Sequence, residues 1–177
     1  VGLPAGVLNF VSGPGGAVGD TLVLHPKTRF ISFTGSKEVG LRINERAAKT
    51  APGQIWIKRT VLEMGGKDAI IVDADGDVDA AVEGTAQAAF GFQGQKCSAC
   101  SRAIVVEKAY DEVLARTKER AAKLKVGDPR DPSVNLGGVI DRGQYEKIRS
   151  YIEVGKREGR LVAGGGPAAA KGGHFIE

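Results

Sequence analysis

The stretch "TRFISFTGSKEVGLRINERAAKT", residues 28–50, decides the fold. Residues 28–33 alternate and are rich in β-formers, which predicts a strand. "TGS" (34–36) then turns the chain into "KEVGLRINERAAKT" (37–50), whose Val39, Ile43 and Ala47 fall on one helical face. Upstream, "GVLNFVSG" (6–13) predicts a short buried strand. "GGAVGDTLVLHP" (15–26) predicts a short helix that stops before Pro26. The order is β-α-β-α, the rhythm of a parallel sheet covered by helices.

Beyond the break at "APGQ" (51–54), two strands are predicted over 57–64 and 68–73, joined by Gly65-Gly66. A helix over 76–93 follows, with Asp77 as its N-cap. The stretch "FGFQGQKCSACSR" (90–102) then leads into a strand over 102–107. Helices over 109–127 and 142–159 each end at a glycine, and short terminal strands are expected in "RLVAGGG" (160–166) and "HFIE" (174–177). The boundary between two α/β units falls near Gly65-Gly66, giving units 1–64 and 65–177.

The bulk numbers narrow the function classes. The 177 residues are 42% hydrophobic and 26% charged, which is ordinary for a soluble globular protein. The net charge of +4 comes from 25 basic and 21 acidic residues scattered along helix faces, so no nucleic-acid partner is expected. No run approaches the ~18 apolar residues of a membrane span. Two cysteines make no secreted disulfide scaffold and favour a reducing compartment. The first residues, "VGLPAGVLNF", and the last, "GGHFIE", read as cuts through a longer polypeptide, so targeting signals are not visible.

Three places can carry chemistry. A strand running into Thr34-Gly35-Ser36 and then a helix points backbone N–H groups and the positive helix end at one spot, which suits a pyrophosphate. An ordinary serine N-cap accounts for the same pattern. The run "GPGGAVG" (13–19) does not complete G-x-G-x-x-G, because Val18 takes the last place. Glu63 ends an apolar strand before two glycines. Desolvated, it would titrate high and serve as a general base, and a structural carboxylate is the alternative. Cys97 and Cys100 form C-x-x-C, but a helix precedes and a strand follows, the reverse of a thioredoxin-type pair. The only histidines, His25 and His174, leave a zinc site unmatched. A single nucleophile, Cys97, fits better, with Gly94-Gln95 before it and Lys96 beside it.

Taken together, "FGFQGQKC" with "SACSR", the upstream "LEMGGKDA" (62–69), "FTGSKEVG" (33–40) and "LPAGVLNFVSGPG" (3–15) resemble the aldehyde dehydrogenase superfamily. The resemblance runs from residue 2 to residue 176. "APGQIWIKR" (51–59) and "GQKCSACSR" (94–102) are most similar to its glutamate-γ-semialdehyde (1-pyrroline-5-carboxylate) dehydrogenases of proline catabolism. The resemblance implies a Rossmann-like parallel-sheet NAD domain, with 1–64 as its C-terminal part. Residues 65–177 would be the N-terminal part of the catalytic domain. It implies Cys97 as nucleophile and Glu63 as base for thioester hydrolysis. It also places Gly35 and Ser36 at the pyrophosphate, Gly15 and Gly19 near the adenine, and Met64 and Gly65 near the nicotinamide of NAD. Ser98 would touch the aldehyde, and Lys96, by its charge, would favour an anionic one. Cys100 is left as a packing residue, and no metal is implied. The family's oxyanion-hole asparagine would lie before residue 1 and its ribose-binding glutamate after Glu177, so the segment by itself is expected to be inactive. The parent enzyme would be a homo-oligomer of the cytoplasm or the mitochondrial matrix. Another semialdehyde dehydrogenase and a CoA-acylating relative are the alternatives, and Glu63 argues against the second.

Overall fold

A computed structural model describes residues 2–168, 170 and 172–177. The chain is α/β and divides into two compact units, Val1–Gly65 and Gly66–Glu177.

In the first unit a π-helical turn, Gly15–Gly19, leads into helix α1 (Asp20–Leu24), strand β1 (Phe30–Thr34), helix α2 (Lys37–Ala47) and strand β2 (Arg59–Glu63). β1 and β2 pair in parallel, from Phe30 opposite Arg59 to Thr34 opposite Glu63. The period of two shows in both strands: Ile31 and Phe33, Thr60 and Leu62 turn inward, and their neighbours face out. Helix α2 begins where Ser36 caps it and buries Gly40 and Ala47, with Ile43 half-buried. Val39 is 44% exposed, so the inward face is 40/43/47, not 39/43/47. The reason lies at Gly40, where a Cβ would come within 2.7 Å of Met64 Sδ. The missing side chain brings the helix down onto the end of β2, and Val39 turns outward. Arg42 and Arg46 of α2 pair with Asp20 of α1. The Lys58 side chain is buried and donates to the Val23 carbonyl at 2.7 Å, a cation at the C-terminal end of α1.

The strand expected over 6–13 is absent. Leu8 is 79% and Phe10 91% exposed. A strand is defined by its ladder partner, and among the described residues β1 pairs only with β2.

The second unit contains β3 (Asp68–Val72), α3 (Val78–Phe90), β4 (Cys100–Val105), α4 (Glu107–Ala122) and α5 (Arg142–Glu158). Asp77 caps α3 by accepting from the Ala80 N–H at 3.1 Å. β3 and β4 are parallel, with Asp68 opposite Cys100 but Ala69 opposite Arg102, so Ser101 is an extra residue in the ladder. Val72, Ala109 and Val113 form the buried cluster, with Ile70, Val78, Ala81, Val105 and Val106 packed around it. Helices α3 and α4 are tied by Arg116 to Asp79 and by Arg120 to Glu83, the latter at 2.6 Å.

Two expectations shift. α4 stops at Ala122 rather than reaching Gly127, because Val126 bridges to Leu136 and the Gly127 N–H bonds the Leu136 carbonyl at 2.9 Å. The terminal strands reduce to isolated antiparallel bridges, Val139 with His174 and Pro167 with Ile176. Residues 160–166 form no strand.

Candidate active site

In the first unit four of the predicted cofactor residues, Gly35, Ser36, Met64 and Gly65, lie just past the carboxyl ends of β1 and β2. Thr34 lies opposite Glu63, and the Gly35 N–H donates to the Glu63 carbonyl at 3.0 Å. The β1-to-α2 turn and the Glu63-Met64-Gly65 segment therefore leave the sheet side by side. Gly35 is needed for packing, since a Cβ there would lie 2.4 Å from the Phe33 ring. Its N–H is already committed. Donors to an anion at this turn would come from the start of α2 and from Ser36. The Ser36 hydroxyl accepts from the Val39 N–H at 3.3 Å, which leaves its own proton to donate. Glu63 and Gly65 are both exposed. Met64 is half-buried against Gly40. Gly15 and Gly19 bracket the π-helical turn, and a Cβ on either would meet nothing within 4 Å.

The second unit carries the thiol. After α3 the backbone enters the left-handed region at Phe92 (φ 57°), Gln93 (φ 57°) and Gly94 (φ 67°). It then closes the turn Lys96–Ala99 with an Ala99 N–H bond to the Lys96 carbonyl at 3.2 Å. Lys96, Cys97 and Ser98 are all exposed there. The Lys96 Nζ folds back to 3.5 Å from where a Gly91 Cβ would stand. Both thiols are free, and the half-buried Cys100 donates weakly to the Arg102 carbonyl at 3.4 Å. The turn is buttressed by the start of the unit. A Cβ on Gly66 would lie 2.8 Å from the Cys97 carbonyl oxygen. Arg102 grips the Lys67 carbonyl through Nε at 3.1 Å and Nη2 at 2.5 Å, and the Ser101 hydroxyl donates to the Asp68 carbonyl at 3.3 Å. The buttress was not predicted; the double glycine in "LEMGGK" was its one visible signal.

Among the described residues no three His, Cys, Asp or Glu side chains gather as a metal site, and no helix is long and apolar enough to cross a membrane.

A strand-to-helix turn capped by serine, a carboxylate ending the adjacent strand, and an exposed cysteine in a strained turn are features of one family. The aldehyde dehydrogenase family matches residues 1–177, and the chain belongs to it. Among its relatives, the 1-pyrroline-5-carboxylate dehydrogenase of Geobacillus sp. (strain WCH70) is 61% identical over 176 residues, which cover 99% of this chain and 34% of that one. A crystal structure of 1-pyrroline-5-carboxylate dehydrogenase from Thermus with bound NAD superposes with a TM-score of 0.93 at 54% identity, over 99% of this chain and 34% of that one. Proline utilization A from Bdellovibrio bacteriovorus follows at 0.91 and 43%, over 98% of this chain and 18% of that one. The chain thus spans about a third of the length of the curated relatives it matches.

Proposed function

We propose that this chain supplies the thiol and the general base of an NAD-dependent oxidation of glutamate-γ-semialdehyde to glutamate. One observation carries the reading: Cys97 stands exposed, unpaired and outside any helix or strand, on a turn that two left-handed residues and a glycine contact hold in shape. Family membership and the 61%-identical relative supply the substrate class.

The residues of the first unit fit the cofactor. Ser36, through its hydroxyl proton, and the start of α2 would meet the pyrophosphate, and Gly15 and Gly19, where a Cβ would meet nothing, would lie near the adenine end. Met64 and Gly65 would border the nicotinamide, which when bound accepts the hydride of the aldehyde. Cys97 attacks the carbonyl carbon as thiolate, and the new C–S bond gives a hemithioacetal. Loss of hydride, two electrons in all, converts this to a thioester on Cys97. Glu63, exposed at the end of β2, takes a proton from water as the water attacks the thioester. The C–S bond then breaks, the carboxylate leaves and Cys97 is regenerated. Lys96 and Ser98 flank the thiol on its turn. Lys96 would attract the anionic end of the substrate, and Ser98 would touch it. The residues before β3 read as the cofactor side of the enzyme and those after it as the thiol side. Two free thiols suit a reducing cytoplasm, and the active enzyme would be a homo-oligomer.

The experiment is NADH formation from glutamate-γ-semialdehyde by the full-length protein that contains this chain and by its Cys97→Ala and Cys100→Ala variants. Turnover that disappears with Cys97 and persists without Cys100 is expected. Turnover that survives Cys97→Ala refutes the reading.

A further inference from the structure

The turn that carries Cys97 is held from a side the proposed chemistry does not use. Phe92 (φ 57°, ψ 33°) and Gln93 (φ 57°, ψ 28°) are successive side-chain-bearing residues in the left-handed region. That conformation persists only where the surroundings over-determine it. Burial does not supply the restraint, since Phe92 is 71% exposed. Hydrogen bonds do. The Phe92 carbonyl accepts from the Gln95 N–H at 3.1 Å and from the Gln95 side-chain amide at 3.5 Å. Gln95 Oε1 accepts from the Ile140 N–H at 3.1 Å. With the Gln93 amide turned so that both its ends are satisfied, its oxygen accepts from the Gly137 N–H at 2.6 Å and its nitrogen donates to the Phe92 carbonyl at 3.1 Å; turned the other way, its oxygen accepts from the Gln95 amide at 3.2 Å. Between these two attachments the Val139 N–H turns the other way, to the His174 carbonyl at 2.7 Å.

Helix α3 ends at Phe90 and β4 begins at Cys100. The residues between them belong to no long element. Their side-chain ties to the rest of the unit run through Gln93 and Gln95 onto the 137–140 segment. We infer that Gln93 and Gln95 are positioning residues: their amides clamp the Cys97 turn to residues 137–140 and so set where the sulfur stands. The inference rests on Cys97 being the nucleophile. Removing the clamp should misplace sulfur without touching the cofactor residues. It should therefore act on kcat and not on the KM for NAD.

The test compares Gln95→Leu, which loses both amide functions, with Gln95→Glu, which keeps an acceptor for the Ile140 N–H. Gln95→Leu is expected to lower kcat by about 10²-fold, the cost typical of an ~1 Å misplacement, with the KM for NAD unchanged. Gln95→Glu should recover about tenfold or more of that loss. Amide hydrogen exchange gives a readout free of activity. Ile140 is 79% exposed and its N–H bonds Gln95, so its amide should exchange slowly in the unaltered protein and about tenfold or more faster in Gln95→Leu but not in Gln95→Glu. Equal kcat losses in the two variants, or fast Ile140 exchange in the unaltered protein, would overturn the clamp. If Gln95→Leu does not fold, Gln95→Glu decides alone. Near-normal kcat with a protected Ile140 amide supports the clamp, and lost kcat with that amide still protected overturns it. Turnover that survives Cys97→Ser would sink the nucleophile reading instead, and the exchange data would still report on the clamp.

Discussion

Replacing Gly66 by alanine tests whether this glycine is there to let the cysteine turn approach. The new Cβ would lie 2.8 Å from the Cys97 carbonyl oxygen, where ordinary contact begins at 3.4 Å, a shortfall of 0.6 Å against backbone. The Asp68 carboxylate oxygens, 3.4 and 3.5 Å away, leave no room on the other side. The segment that carries the methyl cannot retreat easily. Arg102 grips the Lys67 carbonyl, and Asp68 is already in the ladder opposite Cys100. The turn Lys96–Ala99, closed by one 3.2 Å hydrogen bond, is the softer party and should move. Since an ~1 Å misplacement can cost about 10²-fold, a shift of this size should lower kcat by about tenfold, near 1.4 kcal/mol of barrier. Overpacking should also destabilise the fold by about 1–3 kcal/mol. The assay is steady-state semialdehyde oxidation at a temperature where the variant is fully folded by circular dichroism, with NAD affinity measured by calorimetry. Gly84→Ala is the control, since a Cβ there meets nothing within 4 Å. It should leave kcat intact and stabilise α3 by about 0.5–1 kcal/mol. A folded Gly66→Ala enzyme with unchanged kcat would refute the reasoning, as would a kcat loss accompanied by an equal loss of NAD affinity.

Brief iodoacetamide treatment followed by peptide mass spectrometry should label the exposed Cys97 before the half-buried Cys100; the reverse order, or a ready Cys97–Cys100 disulfide, would overturn the assignment. Glu63→Gln should leave a burst of NADH near one equivalent and slow the steady state by about 10²–10⁴-fold, whereas equal losses in both phases would mean that Glu63 acts earlier. Arg120, with the Gln87 amide, holds the Glu83 carboxyl down from its ordinary 4.5 to about 2. Because the folded value is depressed, the Glu83 contribution is complete above pH 4.5 and is lost as the pH falls towards 2. Acid titration of stability should therefore be shallower in that window for Glu83→Gln than for the unaltered protein, and identical slopes would rule the pair out as a source of acid sensitivity.

The elements legible in the sequence are those whose signals are local. Alternation in "RFISF" and the serine cap act within a few positions, and β1 and α2 stand where the pattern puts them, although α2 turns Gly40 rather than Val39 inward. The 6–13 run was illegible for the opposite reason, because apolar composition predicts a strand only if a neighbour strand accepts it. The end of α4 was missed because a glycine at 127 reads as a cap, while the chain there uses its amide to reach Leu136. At the site, Cys97 and Glu63 stand out by residue type and context. The Gln95–Ile140 bond does not, since its partners are 45 residues apart and one of them is a bare amide.

The extra residue in the β3–β4 ladder bears on which changes of length this region tolerates. With Ser101 unpaired, Ile70 stands opposite Ala103, and Arg102 is set beside Ala69, from where it reaches the Lys67 carbonyl. Deleting any one residue between Cys97 and Arg102 would either draw the thiol into the strand or close the bulge. Were Ser101 itself drawn into the ladder opposite Ala69, Arg102 would stand opposite Ile70, a guanidinium alongside the row that packs on the core. The spacing from Cys97 to the strand is thus restrained by the ladder, and an insertion that forces Ser101 into it should be less tolerated than a substitution at Ser101.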